Sequence, residues 1–114
     1  MATEQRREIS DGTLSIGVAD EGSERILRLG GELDLANAPT AEAELAAALG
    51  TATSLVIDMR KLEFIDSTGI ALLVGVIGRN GGSAQVSFVP SEFAAVKRVL
   101  ELTGVAERMP TRSS

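Results

Sequence analysis

The sequence predicts an α/β fold: a single domain built on a mixed four-stranded β-sheet packed with three or more α-helices, in the order β-β-α-β-α-β-α. Three observations predict it. Two segments near the N-terminus alternate apolar and polar residues, the period of half-buried strands. Residues 54–59, Ser-Leu-Val-Ile-Asp-Met, form a short apolar run, as expected of a central strand covered on both faces. Three further segments repeat apolar residues every three or four positions, the period of an amphipathic helix.

Taken in order, residues 1–8 are polar and are expected to lie loose at the surface. In residues 13–18, Leu14, Ile16 and Val18 alternate with Thr13, Ser15 and Gly17. Asp20-Glu21-Gly22-Ser23 reads as a hairpin turn, and residues 25–29 follow as the second strand with Leu27 and Leu29 on one face. Gly30-Gly31-Glu32-Leu33-Asp34 is expected to break that strand. Asn37 then suits a helix cap, and Pro39 suits a first turn, where a missing N–H costs little. Ala41, Leu45 and Leu49 mark one face of the first helix, and Gly50 its end. After the central strand, residues 67–78 predict a second helix with Ile70, Leu73, Val74 and Ile77 at helical spacing. Its Gly75 either permits close packing or weakens the helix locally. Asn80-Gly81-Gly82 is a breaker, and residues 83–89 alternate again with Ala84, Val86 and Phe88 on one face. A third helix carries Phe93, Val96 and Leu100, with Ser91 as its cap and Gly104 as its stop. Residues 110–114 are polar and expected to fray, which leaves an ordered core of about 12–109 in one domain spanning 1–114.

Composition narrows the chemistry. Aromatic residues are 3% of the chain, with three Phe and no Trp or Tyr, so the core must be built from Leu, Val, Ile and Ala. A net charge of −5 with so few stacking rings argues against direct nucleic-acid binding. The chain has no Cys and no His, which excludes a disulfide framework, a His/Cys zinc site and a Ser-His-Asp triad. The longest apolar run, residues 69–78, is too short to span a bilayer, and the polar N-terminus lacks a signal-peptide pattern. No membrane insertion is expected, and a cytoplasmic location is.

The most informative stretch is Leu62-Glu63-Phe64-Ile65-Asp66-Ser67-Thr68-Gly69, which joins the buried strand to the second helix. Either Asp66 or Ser67 suits the cap of that helix, a role worth about 1 kcal/mol. The same geometry exposes a hydroxyl where a helix N-terminus tolerates added negative charge. A phosphate there would add roughly −1.5 to −2 charges beside Asp66 and Asp34. It would then change surface potential and shape without melting the helix, which suits a binding switch. Asp34 either lines a groove beside Ser67 or caps the helix that follows. Ala71, Val74 and Gly75 either form an apolar patch beside Ser67 or lie under a neighbouring helix. Gly30-Gly31 and Gly81-Gly82 fit neither the dinucleotide fingerprint nor the P-loop, and so read as turn glycines. Glu32, Asp34, Asp58, Glu63 and Asp66 read as surface acids near loop ends rather than as metal ligands.

Three motifs occur on this element order: Gly31-Glu32-Leu33-Asp34, then residues 62–69 centred on Asp66-Ser67-Thr68-Gly69, then residues 99–105, Val-Leu-Glu-Leu-Thr-Gly-Val. Together they resemble the STAS domains of anti-sigma factor antagonists, over residues 14–109. The resemblance implies that Ser67 is phosphorylated by an anti-sigma factor that is itself a Ser/Thr kinase, with Thr68 as a secondary site. It implies that the unphosphorylated protein binds that anti-sigma factor and frees a sigma factor, and that a Ser/Thr phosphatase resets the switch. The partner-binding set is then Asp34, Asp66, Ser67, Thr68, Gly69, Ala71 and Val74, with no catalytic residue, cofactor or metal. The same fold also serves as a subunit of stress-sensing complexes and of lipid-transport ATPase systems, the alternative role. Many such domains carry a further C-terminal helix. Here few residues follow Met109, so that helix is expected to be absent or very short.

Overall fold

The sheet begins one strand earlier than the hydropathy pattern predicts. A computed structural model of the chain, which describes residues 6–79 and 85–112, has β1 at Arg6–Asp11, β2 at Leu14–Glu21 and β3 at Glu24–Leu33. These form an antiparallel meander, and the sheet has five strands where four were expected. In β1 only Ile9 is apolar, so no alternation announces it. An edge strand can take its place through backbone pairing alone, and charged residues there discourage further pairing. Both hairpins close through two residues, Gly12-Thr13 and Gly22-Ser23, with the glycines at φ 61° and 63°. Glycine first in a two-residue loop is the pattern of turns that match the strands' right-handed twist.

The remaining strands are β4 at Ser54–Ile65 and β5 at Gln85–Val89. Both pair in parallel, β4 with β3 and β5 with β4, so each pair needs a crossover. Helix α1 at Ala38–Thr51 and helix α2 at Ser67–Arg79 supply the two crossovers, and α3 at Ala94–Leu102 follows β5.

Gly30-Gly31 does not end the second predicted strand. The strand runs on to Leu33, and its register against β4 shifts at Arg28/Gly30 and again at Gly31/Glu32. Gly31 sits at φ 81°, and a Cβ there would lie 1.9 Å from the Thr13 carbonyl oxygen. The glycines therefore sit where another backbone passes closely, opposite extra residues inserted in β4, and do not break the strand.

One hydrophobic cluster unites the three helices with one face of the sheet. Leu14, Ile16, Leu27, Leu29, Ile57 and Phe88 meet Ala41 and Leu45 of α1, Leu73 and Val76 of α2, and Val96 and Leu100 of α3. Burial of each large aliphatic side chain contributes about 1.5–3 kcal/mol. The predicted stripes shift slightly. Ala38 and Ala48 are buried in α1 while Leu49 is half-buried, and in α2 Leu73 and Val76 are the fully buried pair. A Cβ added at Gly75 meets nothing within 4 Å, so this glycine serves no close packing.

Two assignments around α3 change. Ser91 is buried and lies before the helix: its hydroxyl donates to the Leu62 carbonyl at 2.6 Å and accepts the Phe93 N–H at 2.9 Å. Phe93 precedes the first helical residue and is 40% exposed, so it is not a core residue. Gly104, at φ 78°, does end the helix. Beyond it, the chain through Arg112 is tied down rather than frayed, and residues 113–114 lie outside the described residues. A single 3-10 turn at Ala106–Arg108 leads to buried Met109. The Phe88 N–H then donates to the Pro110 carbonyl at 2.8 Å, the Arg112 N–H donates to the Phe88 carbonyl at 2.9 Å, and Arg112 pairs with Glu24. The predicted turn at Asn80-Gly81-Gly82, with Ser83 and Ala84, lies outside the described residues.

Candidate functional site

Because β3 and β4 are parallel neighbours, their C-terminal ends finish side by side at Leu33 and Ile65. Each end turns directly into a helix. Crevices at the carboxyl ends of parallel strands are where open α/β sheets place their binding sites.

The first junction is built by Asp34 and Asn37. The Asp34 carboxylate accepts the N–H of Ala36 at 3.0 Å and of Asn37 at 3.3 Å. Buried Asn37 returns the contact: its Oδ1 accepts the Asp34 N–H at 2.9 Å, and its Nδ2 donates to the Glu32 carbonyl at 2.9 Å. Asn37 therefore precedes α1 without capping it through its side chain, and instead braces the turn. Asp34 is the residue that closes this turn ahead of α1, one of the two roles its position allowed.

At the second junction the cap is Asp66. Its Oδ1 accepts the N–H groups of Thr68 at 2.9 Å and Gly69 at 3.1 Å. Its Oδ2 reaches across to the Leu35 N–H at 3.0 Å, and its own N–H donates to the Leu33 carbonyl at 3.2 Å. One side chain thus satisfies the orphan donors of α2 and stitches the two junctions together. Ser67 is the first residue of α2 and is exposed. Among the described residues no hydrogen bond engages its hydroxyl, which leaves it accessible.

Gly69 is buried under this turn. A Cβ at Gly69 would sit 2.7 Å from Ile65 Cγ1 and 2.9 Å from Leu33 Cγ. It packs α2 closely on the strand ends.

Beside Ser67, α1 and α2 bound an open groove of about 300 Å³. Leu35, Ala38, Pro39 and Glu42 line one side, and Thr68, Ala71 and Leu72 the other. Thr68 and Ala71, both picked out from the sequence, face this groove, whereas Val74 is half-buried and outside its lining. Leu35 is 72% exposed at the rim, and Phe64, near the end of β4, is 46% exposed. Leu35 and Leu72 carry no local signal in the sequence. A leucine in a loop and a leucine in an apolar helix look alike whether they face core or solvent. Glu42 is the one charged residue lining the groove among the described residues, and Asp34 and Asp66 lie at its head. The surface is apolar with acidic margins.

The other acids are dispersed. Glu32 and Glu63 are exposed, and Asp58 is buried on the far side of the sheet against Arg60. Among the described residues no three acids are grouped closely enough to hold a metal ion. No helix among them is long and apolar enough to cross a membrane.

The chain matches known proteins along most of its length. The STAS domain profile matches residues 16–114. The chain is 29% identical over 94 residues to the anti-sigma-F factor antagonist RsfB of Mycobacterium tuberculosis, covering 82% of this chain and 76% of that one. The crystal structure of an anti-sigma factor antagonist from Mycobacterium paratuberculosis superposes with a TM-score of 0.80 at 25% identity, covering 93% of this chain and 92% of the other. The anti-sigma factor antagonist SpoIIAA in its unphosphorylated form shares the fold, with a TM-score of 0.64 at 18% identity over 96% of this chain and 90% of that one.

Proposed function

The chain belongs to the STAS domain family, and from that premise we propose that it is a phosphorylation-switched anti-sigma factor antagonist acting in the cytoplasm. With Ser67 bare, the groove between α1 and α2 binds an anti-sigma factor of the Ser/Thr kinase type and so frees a sigma factor. That partner then phosphorylates Ser67, the complex separates, and a Ser/Thr phosphatase restores the binding state.

The single observation that carries this reading is the division of labour at the second junction. Asp66 takes the capping task, with the Thr68 and Gly69 N–H groups on its carboxylate and the Leu35 N–H of the first junction besides. Ser67 is left with an exposed hydroxyl in the first helical turn. A phosphoryl group can be added there without removing any hydrogen bond that holds the fold. It would bring roughly −1.5 to −2 charges next to Asp66. The helix N-terminus offsets part of that charge within the fold. A partner surface that fits an apolar groove has no such compensation, so the repulsion falls on the complex. Relatives named as anti-sigma factor antagonists support the class of partner.

Calorimetric titration of the kinase-type anti-sigma factors of the source organism into the wild type, Ser67→Ala and Ser67→Asp tests this. Wild type and Ser67→Ala should bind one of them alike, and Ser67→Asp at least tenfold more weakly. Equal binding by all three variants would rule the switch out.

A further inference from the structure

One exposed leucine beside the groove is presented by an unusually well-tied turn. Among the described residues four large apolar side chains are exposed: Leu35 at 72%, Leu102 at 74%, Phe64 at 46% and Phe93 at 40%. Exposure alone says little, since single apolar side chains are common on protein surfaces. The backbone beneath Leu35 sets it apart.

Every backbone N–H from Asp34 to Ala38 has an acceptor within the fold. The Asp34 N–H donates to Asn37 Oδ1 at 2.9 Å, and the Leu35 N–H to Asp66 Oδ2 at 3.0 Å. The Ala36 N–H donates to Asp34 Oδ1 at 3.0 Å, and those of Asn37 and Ala38 to the Asp34 carbonyl at 3.2 and 2.8 Å. Buried Asn37 adds a bond from its Nδ2 to the Glu32 carbonyl. A surface turn can leave such donors to water and stay mobile. Here the side chains of Asp34, Asn37 and Asp66 fix it, and a turn so tied opens rarely. Its one large apolar side chain stands in water at the groove rim. An apolar group held on a fixed backbone before binding loses less entropy when a partner covers it, which suits an interface anchor.

The same bonds tie the leucine to Ser67. Asp66 directly precedes Ser67, and its carboxylate spans from the first turn of α2 to the Leu35 N–H. A kinase must bring the γ-phosphate of its nucleotide in line with the acceptor hydroxyl. A protein surface that closes around Ser67 in this way also covers Leu35. Leu102 is the opposite case. It is the last residue of α3, which turns back from the C-terminal end of β5, and it lies away from the strand ends that carry Ser67.

We propose that Leu35 is the docking anchor for the kinase-type anti-sigma factor that modifies Ser67, a proposal that rests on the switch reading above. The leucine fills an apolar pocket on that partner, and Asp66 holds anchor and hydroxyl in a fixed relation. Asp34 and Asp66 flank the leucine, so the rim of the partner's pocket carries neutral or basic groups rather than acids.

Steady-state phosphorylation of the full chain by that anti-sigma factor tests this. Leu35→Ala should raise KM at least tenfold and leave kcat within about twofold of wild type, the mark of a contact that binds without entering the chemistry. Leu35→Met keeps the apolar volume and should stay within about threefold of wild type in KM. Leu102→Ala, matched in exposure, should behave as wild type. Melting temperatures close to that of wild type should accompany all three. A KM for Leu35→Ala equal to that of wild type would overturn the anchor and leave the switch standing. A fall in kcat alone, or an equal rise in KM for Leu102→Ala, would also overturn the anchor. Failure of every kinase-type anti-sigma factor of the source organism to phosphorylate the wild type would overturn the switch and the anchor together.

Discussion

Replacing Asp66 by alanine should damage the fold far more than replacing Ser67, although the two are neighbours and either suits a cap by residue type. Asp66 accepts N–H groups from Thr68 and Gly69, and loss of an N-cap of this kind costs about 0.5–2 kcal/mol. It also accepts the Leu35 N–H across the junction, and a hydrogen bond to a charged group is worth about 1.5–3 kcal/mol when buried. Leu35 is exposed, so water can replace that acceptor and the lower end applies. The sum is about 2–3.5 kcal/mol. For a domain of this size each kcal/mol lowers the melting temperature by about 4 °C, which gives a drop of about 8–14 °C. Asp66→Asn keeps an oxygen for the cap and loses the charge, and should cost about 1 kcal/mol. Ser67→Ala removes a hydroxyl without a partner among the described residues and should stay within about 0.5 kcal/mol of wild type. Urea denaturation of the four proteins, compared at equal m-value, measures this directly. If Asp66→Ala loses less than about 0.5 kcal/mol, or if Ser67→Ala loses as much as Asp66→Ala, the assignment of the cap is wrong.

Three further outcomes follow from the structure. Gly75→Ala should stabilise the protein by about 0.5–1 kcal/mol, since the position is mid-helix and open, whereas Gly69→Ala should destabilise it because its Cβ would collide with Ile65 and Leu33; thermal melts separate the two. Leu35→Ser should leave stability within about 0.5 kcal/mol while weakening anti-sigma factor binding at least tenfold, as read by calorimetry, because the leucine is exposed at the groove rim. Asp58 gives the acid limb of stability. Burial alone would raise its pKa, but hydrogen bonds and charge from Arg60, with Arg28, hold it below its ordinary value of 3.8. A carboxylate depressed in the folded state contributes stability that is fully present well above that ordinary value and is lost as pH falls through the folded value. Denaturation at pH 7 and at pH 3 should therefore show a smaller acid loss in Asp58→Asn than in wild type.

Much of the architecture is legible in the sequence because local pattern and final environment agree. Leu14, Ile16 and Val18 alternate, and the first two end fully buried on the helix side of the sheet. The apolar run at 54–59 is a strand with neighbours on both sides. Where pattern and environment part, long-range contacts decide. Strand β1 is held by backbone pairing to β2, and nothing in Arg-Arg-Glu-Ile-Ser-Asp signals it. Gly30-Gly31 looks like a break because the close passage of Thr13 that requires a glycine is remote in sequence. Ser91 looks like a cap, but its hydroxyl is claimed by Leu62, which only the folded chain brings near. The polar C-terminal segment looks free until Phe88 offers it a backbone edge. At the site, the residue types at 66–69 were legible and their roles were not. Cap, free hydroxyl and packing glycine are separated only by knowing which N–H groups the Asp66 carboxylate reaches.

A phosphoryl group on Ser67 is proposed to end partner binding while leaving the fold intact. The most direct measurement is to phosphorylate the protein with its kinase-type anti-sigma factor, map the site by mass spectrometry, purify the modified form, and titrate it against the same partner alongside its melting curve. A single phosphate on Ser67, affinity lowered at least tenfold, and a melting temperature close to that of the unmodified protein are expected. Undiminished affinity of the Ser67-phosphorylated form would contradict this, and so would loss of binding that tracks loss of folding.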